Sequence, residues 1–118
     1  TEDTFDELFA LSTKPVIIAE TAYGAESFSI QTDQGFFMLA TDPVKQKLFV
    51  DALLAASGKW KAEFVIWFTL RDLEAETNPV SPRFNMALKD AGLYDQDGNP
   101  RPALNSWREW LKKRVEDN

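Results

Sequence analysis

The sequence predicts an α/β fold built on a small parallel sheet. Three observations carry this expectation. Val16-Ile17-Ile18-Ala19 and Phe64 to Leu70 are β-prone apolar runs that are continuous rather than alternating, as suits strands covered on both faces. A helix-period segment, 42–58, lies between them and is long enough for a parallel crossover. A second amphipathic segment, 102–112, follows the second run.

The elements follow in order. Phe5, Leu8 and Phe9 recur at helical spacing, so a short amphipathic helix opens the chain and Lys14-Pro15 ends it. The first strand then runs into Glu20. Within the long connection 21–41, Ser27 to Gln31 alternates weakly, Thr32-Asp33-Gln34-Gly35 reads as a turn, and Phe36 to Leu39 is apolar. That pattern predicts a small hairpin. The next helix is marked by Asp42 as cap and Pro43 at its first position. Its expected apolar face is Val44, Leu48, Phe49, Ala52, Leu53 and Ala56, with Gly58 as a left-handed stop. After the second strand comes a polar loop, 71–76, and a short helix from Ser81-Pro82 to Ala91 that stops at Gly92. Asp97-Gly98-Asn99-Pro100 is a turn signal. The final helix places Ala103, Leu104, Trp107, Trp110 and Leu111 on one stripe, and Lys112 and Lys113 suit its negative end.

This order makes two βα units, which leave both edges of a two-stranded sheet open. Either more chain completes the sheet or copies associate. The chain also starts at Thr1 without Met, close to a helix, which reads as a processed or excised piece.

Composition narrows the chemistry. The 118 residues include no His and no Cys, which removes Ser-His and Cys-His nucleophile pairs, imidazole bases, disulfides and Cys- or His-ligated metals. Carboxylate, Lys and Tyr remain for acid–base work. With 13 basic and 19 acidic side chains the formal charge is −6, with no basic stripe, so nucleic acid and anionic membrane are not expected partners. There is no apolar run near the length of a membrane span and no leader pattern. No phosphate loop, GxGxxG or nucleophile elbow is present.

Strand parity singles out the first candidates. Side chains alternate across a strand, so Val16, Ile18 and Glu20 share one side. In the second strand, Val65, Trp67 and Thr69 share one side, and Phe64, Ile66 and Phe68 the other. The bulky second set suits the layer between strands and helices, which turns Trp67 inward. Pattern alone leaves Glu20 as either a mouth carboxylate or the start of a solvated loop. It leaves Trp67 as either core or an aromatic floor for a sugar ring.

Lys14 to Tyr23 resembles the seventh-strand motif of retaining (β/α)8 glycoside hydrolases with two catalytic Glu. Phe64 to Asp72, with Trp67, resembles their eighth strand. Gly92-Leu93-Tyr94-Asp95-Gln96-Asp97-Gly98-Asn99-Pro100-Arg101-Pro102-Ala103-Leu104 resembles their common approach to the final helix. The step Glu20-Thr21-Ala22-Tyr23 and the Asp42-Pro43 helix look most like endo-β-1,4-galactanases, with cellulase- and mannanase-type relatives near. The resemblance implies a partial (β/α)8 TIM barrel. Residues 1–118 would be the C-terminal fragment of a catalytic domain that takes roughly 250 residues when whole.

It implies further that Glu20 is the nucleophile and Trp67 the sugar-stacking residue, one position of slip substituting Phe68 or Ile66. Tyr23 and Arg71 become substrate-binding candidates, although loop packing for Tyr23 and a local Arg71–Asp72 ion pair are the simpler readings. No cofactor and no metal are called for. The expected partners are a β-linked carbohydrate substrate and the remaining N-terminal barrel half, or a second copy covering the sheet edges. Secretion or a periplasmic location suits such a parent. The acid/base Glu of these enzymes comes from the fourth strand, which is not in this sequence. Glu63 starts its strand, and Glu26, Glu74 and Glu76 sit on loops.

Overall fold

The computed structural model describes residues 2–73 and 88–113. It is a mixed helix–strand structure in the order α1 (Glu2–Ala10), β1 (Ile18–Thr21), β2 (Phe28–Thr32), β3 (Gly35–Leu39), α2 (Pro43–Lys59), β4 (Val65–Trp67) and α3 (Pro102–Leu111). β1 and β4 pair in parallel, and β2 and β3 form a separate antiparallel hairpin. No closed barrel is formed by the described residues. The helix expected from Ser81 lies, up to Ala87, outside them, as do Glu74 and Glu76.

The local signals act as their chemistry requires. The Asp42 carboxylate accepts from the Lys45 N–H at 2.8 Å, and Pro43 opens α2 where no donor is needed. In the hairpin, Phe28 faces Leu39 and Thr32 faces Gly35. Thr32 Oγ1 donates to the Gly35 carbonyl at 2.9 Å and stiffens the turn. The hairpin base is clamped by Ser27, whose hydroxyl donates to Thr41 O (2.8 Å) and accepts from Thr41 N–H (3.0 Å).

The core lies between one face of the β1/β4 sheet and the helices. Val50 and Leu54 of α2, Leu93, and Ala103 and Leu104 of α3 are buried together, with Trp67, Tyr94, Trp107 and Trp110 packed around them. α1 adds to the far side of α2. Phe5 meets Phe49 edge-on at 5.3 Å, and Phe9 stacks on Trp60. Asp6 accepts from Lys59 and from the Trp60 indole.

Several expected faces are rotated. α2 buries Gln46, Val50, Leu53, Leu54, Ala56 and Ser57 but exposes Val44 and Leu48. The helix is apolar on more than one side, so its periodicity did not select the inward face. Leu111 is exposed at the end of α3. Gly58 is not a left-handed stop, since α2 runs on to Lys59 and the left-handed residue is Lys61 (φ 53°). Gly58 instead admits a side chain from α3. A Cβ there would come within 2.4 Å of the Trp110 ring.

The sheet shows the largest departure. Ile18 pairs with Val65 and Thr21 with Trp67, so β1 has one more residue between the two pairs than β4 has. This bulge breaks the expected parity of β1. Ala19 and Glu20 are both exposed, while Ile18 and Thr21 are half-buried. In β4 the faces are opposite to expectation. Val65 and Trp67 are half-buried, with Trp67 packed against the helical core, whereas Phe64 and Ile66 are 47% and 50% exposed. Ile17, 49% exposed, adds to the same apolar surface.

Candidate functional site at the strand ends

Parallel pairing brings the C-terminal ends of β1 and β4 to one edge of the molecule. The chain continues the sheet there irregularly. Phe68 N–H donates to Thr21 O at 2.8 Å, and then segment 93–94 runs beside 69–72. Leu93 N–H bonds Thr69 O (3.3 Å), Tyr94 N–H bonds Leu70 O (2.9 Å) and Asp72 N–H bonds Tyr94 O (3.1 Å). The turn after it is held by Asp95, whose carboxylate accepts from the N–H groups of Asp97 and Asn99 and from the Asn99 amide. Those bonds, the Asn99 side chain foremost, hold the Asp95 carboxyl below the ordinary range.

Beneath this edge lies a buried polar hub. Arg101 and Asp72 have side chains only 6% and 5% exposed and form a two-pronged pair at 2.5 and 2.8 Å. Arg101 also donates to the carbonyls of Gly92 (2.9 Å) and Asp90 (3.2 Å). Asp72 accepts from the Gly92 N–H at 2.9 Å. With these bonds the pair is satisfied despite its burial. Gly92 is required, because a Cβ would lie 2.3 Å from Tyr94 O and 2.4 Å from Asp72 N, both backbone atoms that cannot give way. Gln46, fully buried on α2, donates from one amide nitrogen to the carbonyls of Tyr23, Ala91 and Gly92. It therefore ties the loop after Glu20 to the segment after β4.

The predicted residues fall into three positions around this hub. Glu20 stands exposed at the end of β1, and no described residue hydrogen-bonds its carboxylate. Trp67 points into the helix layer rather than toward an interior. Its indole N–H donates to Ala91 O at 2.9 Å, and its ring lies 6.2 Å from Phe49 and 6.4 Å from Trp107. Tyr23 is half-buried and stacks on Phe49 at 4.8 Å. Tyr23, Phe49, Trp67 and Trp107 thus form one aromatic row behind the strand ends.

Arg71 is exposed and donates to Gln96 O. Its expected pairing with Asp72 does not occur, because Asp72 turns inward to Arg101. Of the loop acids, Glu26 lies 3.8 Å from Arg101 and is 60% exposed. Glu63 is at the opposite end of the sheet, its N–H bonded to Val16 O.

Sequence reasoning missed Gln46, Arg101 and the partnership of Asp72. A polar residue inside the apolar run of α2 was a usable signal for Gln46. The Asp72–Arg101 pair carried none, since its members are 29 positions apart. No protein-family model matches the chain, and no curated protein matches it. No described helix is long and apolar enough to cross a membrane.

Proposed function

We propose that this chain supplies strands seven and eight of a retaining (β/α)8 glycoside hydrolase that cleaves β-linked oligo- or polysaccharide. The observation that carries the reading is the asymmetry of the β1/β4 sheet. It is parallel, covered by helices on one face, apolar and about half exposed on the other among the described residues, and it presents Glu20 at its C-terminal end. A parallel sheet is ordinarily covered on both faces. In a barrel the bare face would be the packed interior, and the C-terminal ends of the strands would form the active-site mouth.

The chemistry needs two carboxyl groups about 5–5.5 Å apart. Glu20 attacks the anomeric carbon and displaces the leaving oxygen, which takes a proton from the second carboxylic acid. That group, now a carboxylate, removes a proton from water as the water cleaves the glycosyl ester on Glu20. The second group comes from the absent strands, and the isolated chain should show no turnover of an aryl glycoside. Tyr23 and Arg71 lie at the mouth in this reading. Trp67 stiffens its floor from the helix side, and Ile66 takes the interior position first expected of Trp67.

The test is trapping in the full parent polypeptide with a 2-deoxy-2-fluoro glycosyl fluoride, which slows breakdown of the glycosyl ester. Peptide mass spectrometry should place the label on Glu20, and Glu20→Gln should lower turnover by at least about a thousandfold while sugar binding persists. A label on another carboxylate, or full activity in the variant, overturns the assignment. The second reading is a non-catalytic carbohydrate-binding or assembly module. The lack of any described hydrogen bond to the Glu20 carboxylate favours it, since a nucleophile is normally oriented by its neighbours. It predicts binding of sugar with no label at Glu20.

A further inference from the structure

The helix layer carries a concave surface made by none of the residues at the strand ends. A groove of about 350 Å³ lies between α2 and α3. α2 contributes Lys47 and Asp51; Asn105, Glu109 and Trp110 come from α3, and Lys113 follows it. None of these residues belongs to the sheet or to the loops around Glu20. We propose that this groove binds a neutral carbohydrate, with the Trp110 indole as its floor.

Charge selects the ligand class. Two ammonium groups face two carboxylates, so an ion of either sign meets as much repulsion as attraction. Lys47 and Asp51 are paired at 2.5 Å across one turn of α2. Burial works against ionisation of Asp51, but the hydrogen-bonded ammonium of Lys47 favours the charged form, and the carboxyl is held below its ordinary range. Asp51 is therefore a charged acceptor at neutral pH. The amide of Asn105 donates and accepts, the carboxylates accept, and the lysines donate. This mixture matches sugar hydroxyls, each of which is both donor and acceptor.

The indole supplies the apolar half of the site. The edge of Trp110 is seated over Gly58, where a Cβ would clash at 2.4 Å, so the ring is held in place before any ligand arrives. Lys113 Nζ lies over the ring at 4.4 Å from its centroid. An ammonium in that position marks a ring face that accepts partial positive charge. The axial C–H bonds of a pyranose present the same polarity to the ring. When the sugar takes that place, the displaced ammonium is left beside its hydroxyls. Ordering of few side chains is needed, because the floor is already built.

The experiment is a titration of the full 118-residue chain, labelled with ¹⁵N, with β-1,4-galactotetraose and with cellotetraose. The indole N–H resonances of Trp60, Trp67, Trp107 and Trp110 are followed separately. Saturable movement of the Trp110 resonance is expected, with affinity unchanged between low and high sodium chloride. Asn105→Leu, which removes the amide donor and acceptor and leaves Gly58 and Trp110 in place, should weaken that binding about tenfold or more. Trp110→Ala should abolish it, its fold being verified by the chemical shifts of α1 and the hairpin. A still Trp110 resonance with both sugars overturns the proposal, as does binding that salt weakens or that Asn105→Leu leaves intact. Movement confined to Trp67 overturns it too, while favouring sugar binding at the strand ends. The Glu20 assignment stands or falls on the trapping experiment alone.

Discussion

The two faces of one two-stranded sheet behave as if they belonged to different proteins. On one, Val65 and Trp67 are half-buried, and Trp67 packs against a core of Val50, Leu54, Leu93, Ala103 and Leu104. On the other, Ile17, Phe64 and Ile66 are about half exposed with comparable apolar side chains. The difference is one of cover, not of composition. The same residue types contribute to stability only where α2 and α3 remove them from water. The hairpin repeats the lesson, with Phe36 at 67% and Met38 at 64% exposure.

The sharpest way to break the comparison is at the hub beneath the covered face. Arg101→Met leaves the Asp72 carboxylate buried without its partner, which should cost about 4 kcal/mol in urea unfolding. A loss below ~1 kcal/mol would mean that water reaches Asp72 freely. Next comes a matched pair. Leu54→Ala in the core should cost about 3 kcal/mol. Ile66→Ala on the bare face should change stability by less than about 0.5 kcal/mol. Concentration-dependent loss with Ile66→Ala would show that a second copy covers that face in solution.

A smaller effect tests the local signals that both faces share. Asp42→Ala removes the cap of α2 and should cost about 1 kcal/mol by the same measurement. The smallest is electrostatic. Asp6, held by Lys59 and Trp60, and Asp95, held by Asn99, have carboxyls below the ordinary range. Their folded values lie below the unfolded value of about 3.9, so their contribution is whole above that pH. It is lost as pH falls through the folded values. Lys89, raised by Asp90, behaves oppositely. Its contribution is whole below about 10.4 and is lost as pH rises through the raised value. Unfolding midpoints followed from pH 5 down to about 2 should fall, and Asp95→Asn should flatten that fall.

What could be read beforehand follows from range. The Asp42-Pro43 start of α2, the turn between β2 and β3 and the turn at Asp95 all rest on interactions within a few residues. Their chemistry is visible in a short stretch of chain. Glu20 at a strand end was legible in the same way. The side chain's surroundings were not, because one extra residue between Ile18 and Thr21 shifts the parity of everything after it. Trp67 followed the same fate from the other strand. Apolar residues alternate there with other apolar residues, and nothing in the pattern says which set meets the helices.

The sequence by itself determined the alphabet and the punctuation of this protein. Without His or Cys, acid–base chemistry in this chain is left to carboxylates, Lys and Tyr, and caps, turns and apolar runs mark where helices and strands begin and end. Only the tertiary structure decided which faces are covered, that Asp72 reaches across to Arg101, that Gln46 ties Tyr23 to Gly92, and that Gly58 makes room for Trp110. Each of those contacts joins residues far apart in the chain. Its free energy exists only once helices and sheet have packed, so no local pattern encodes it.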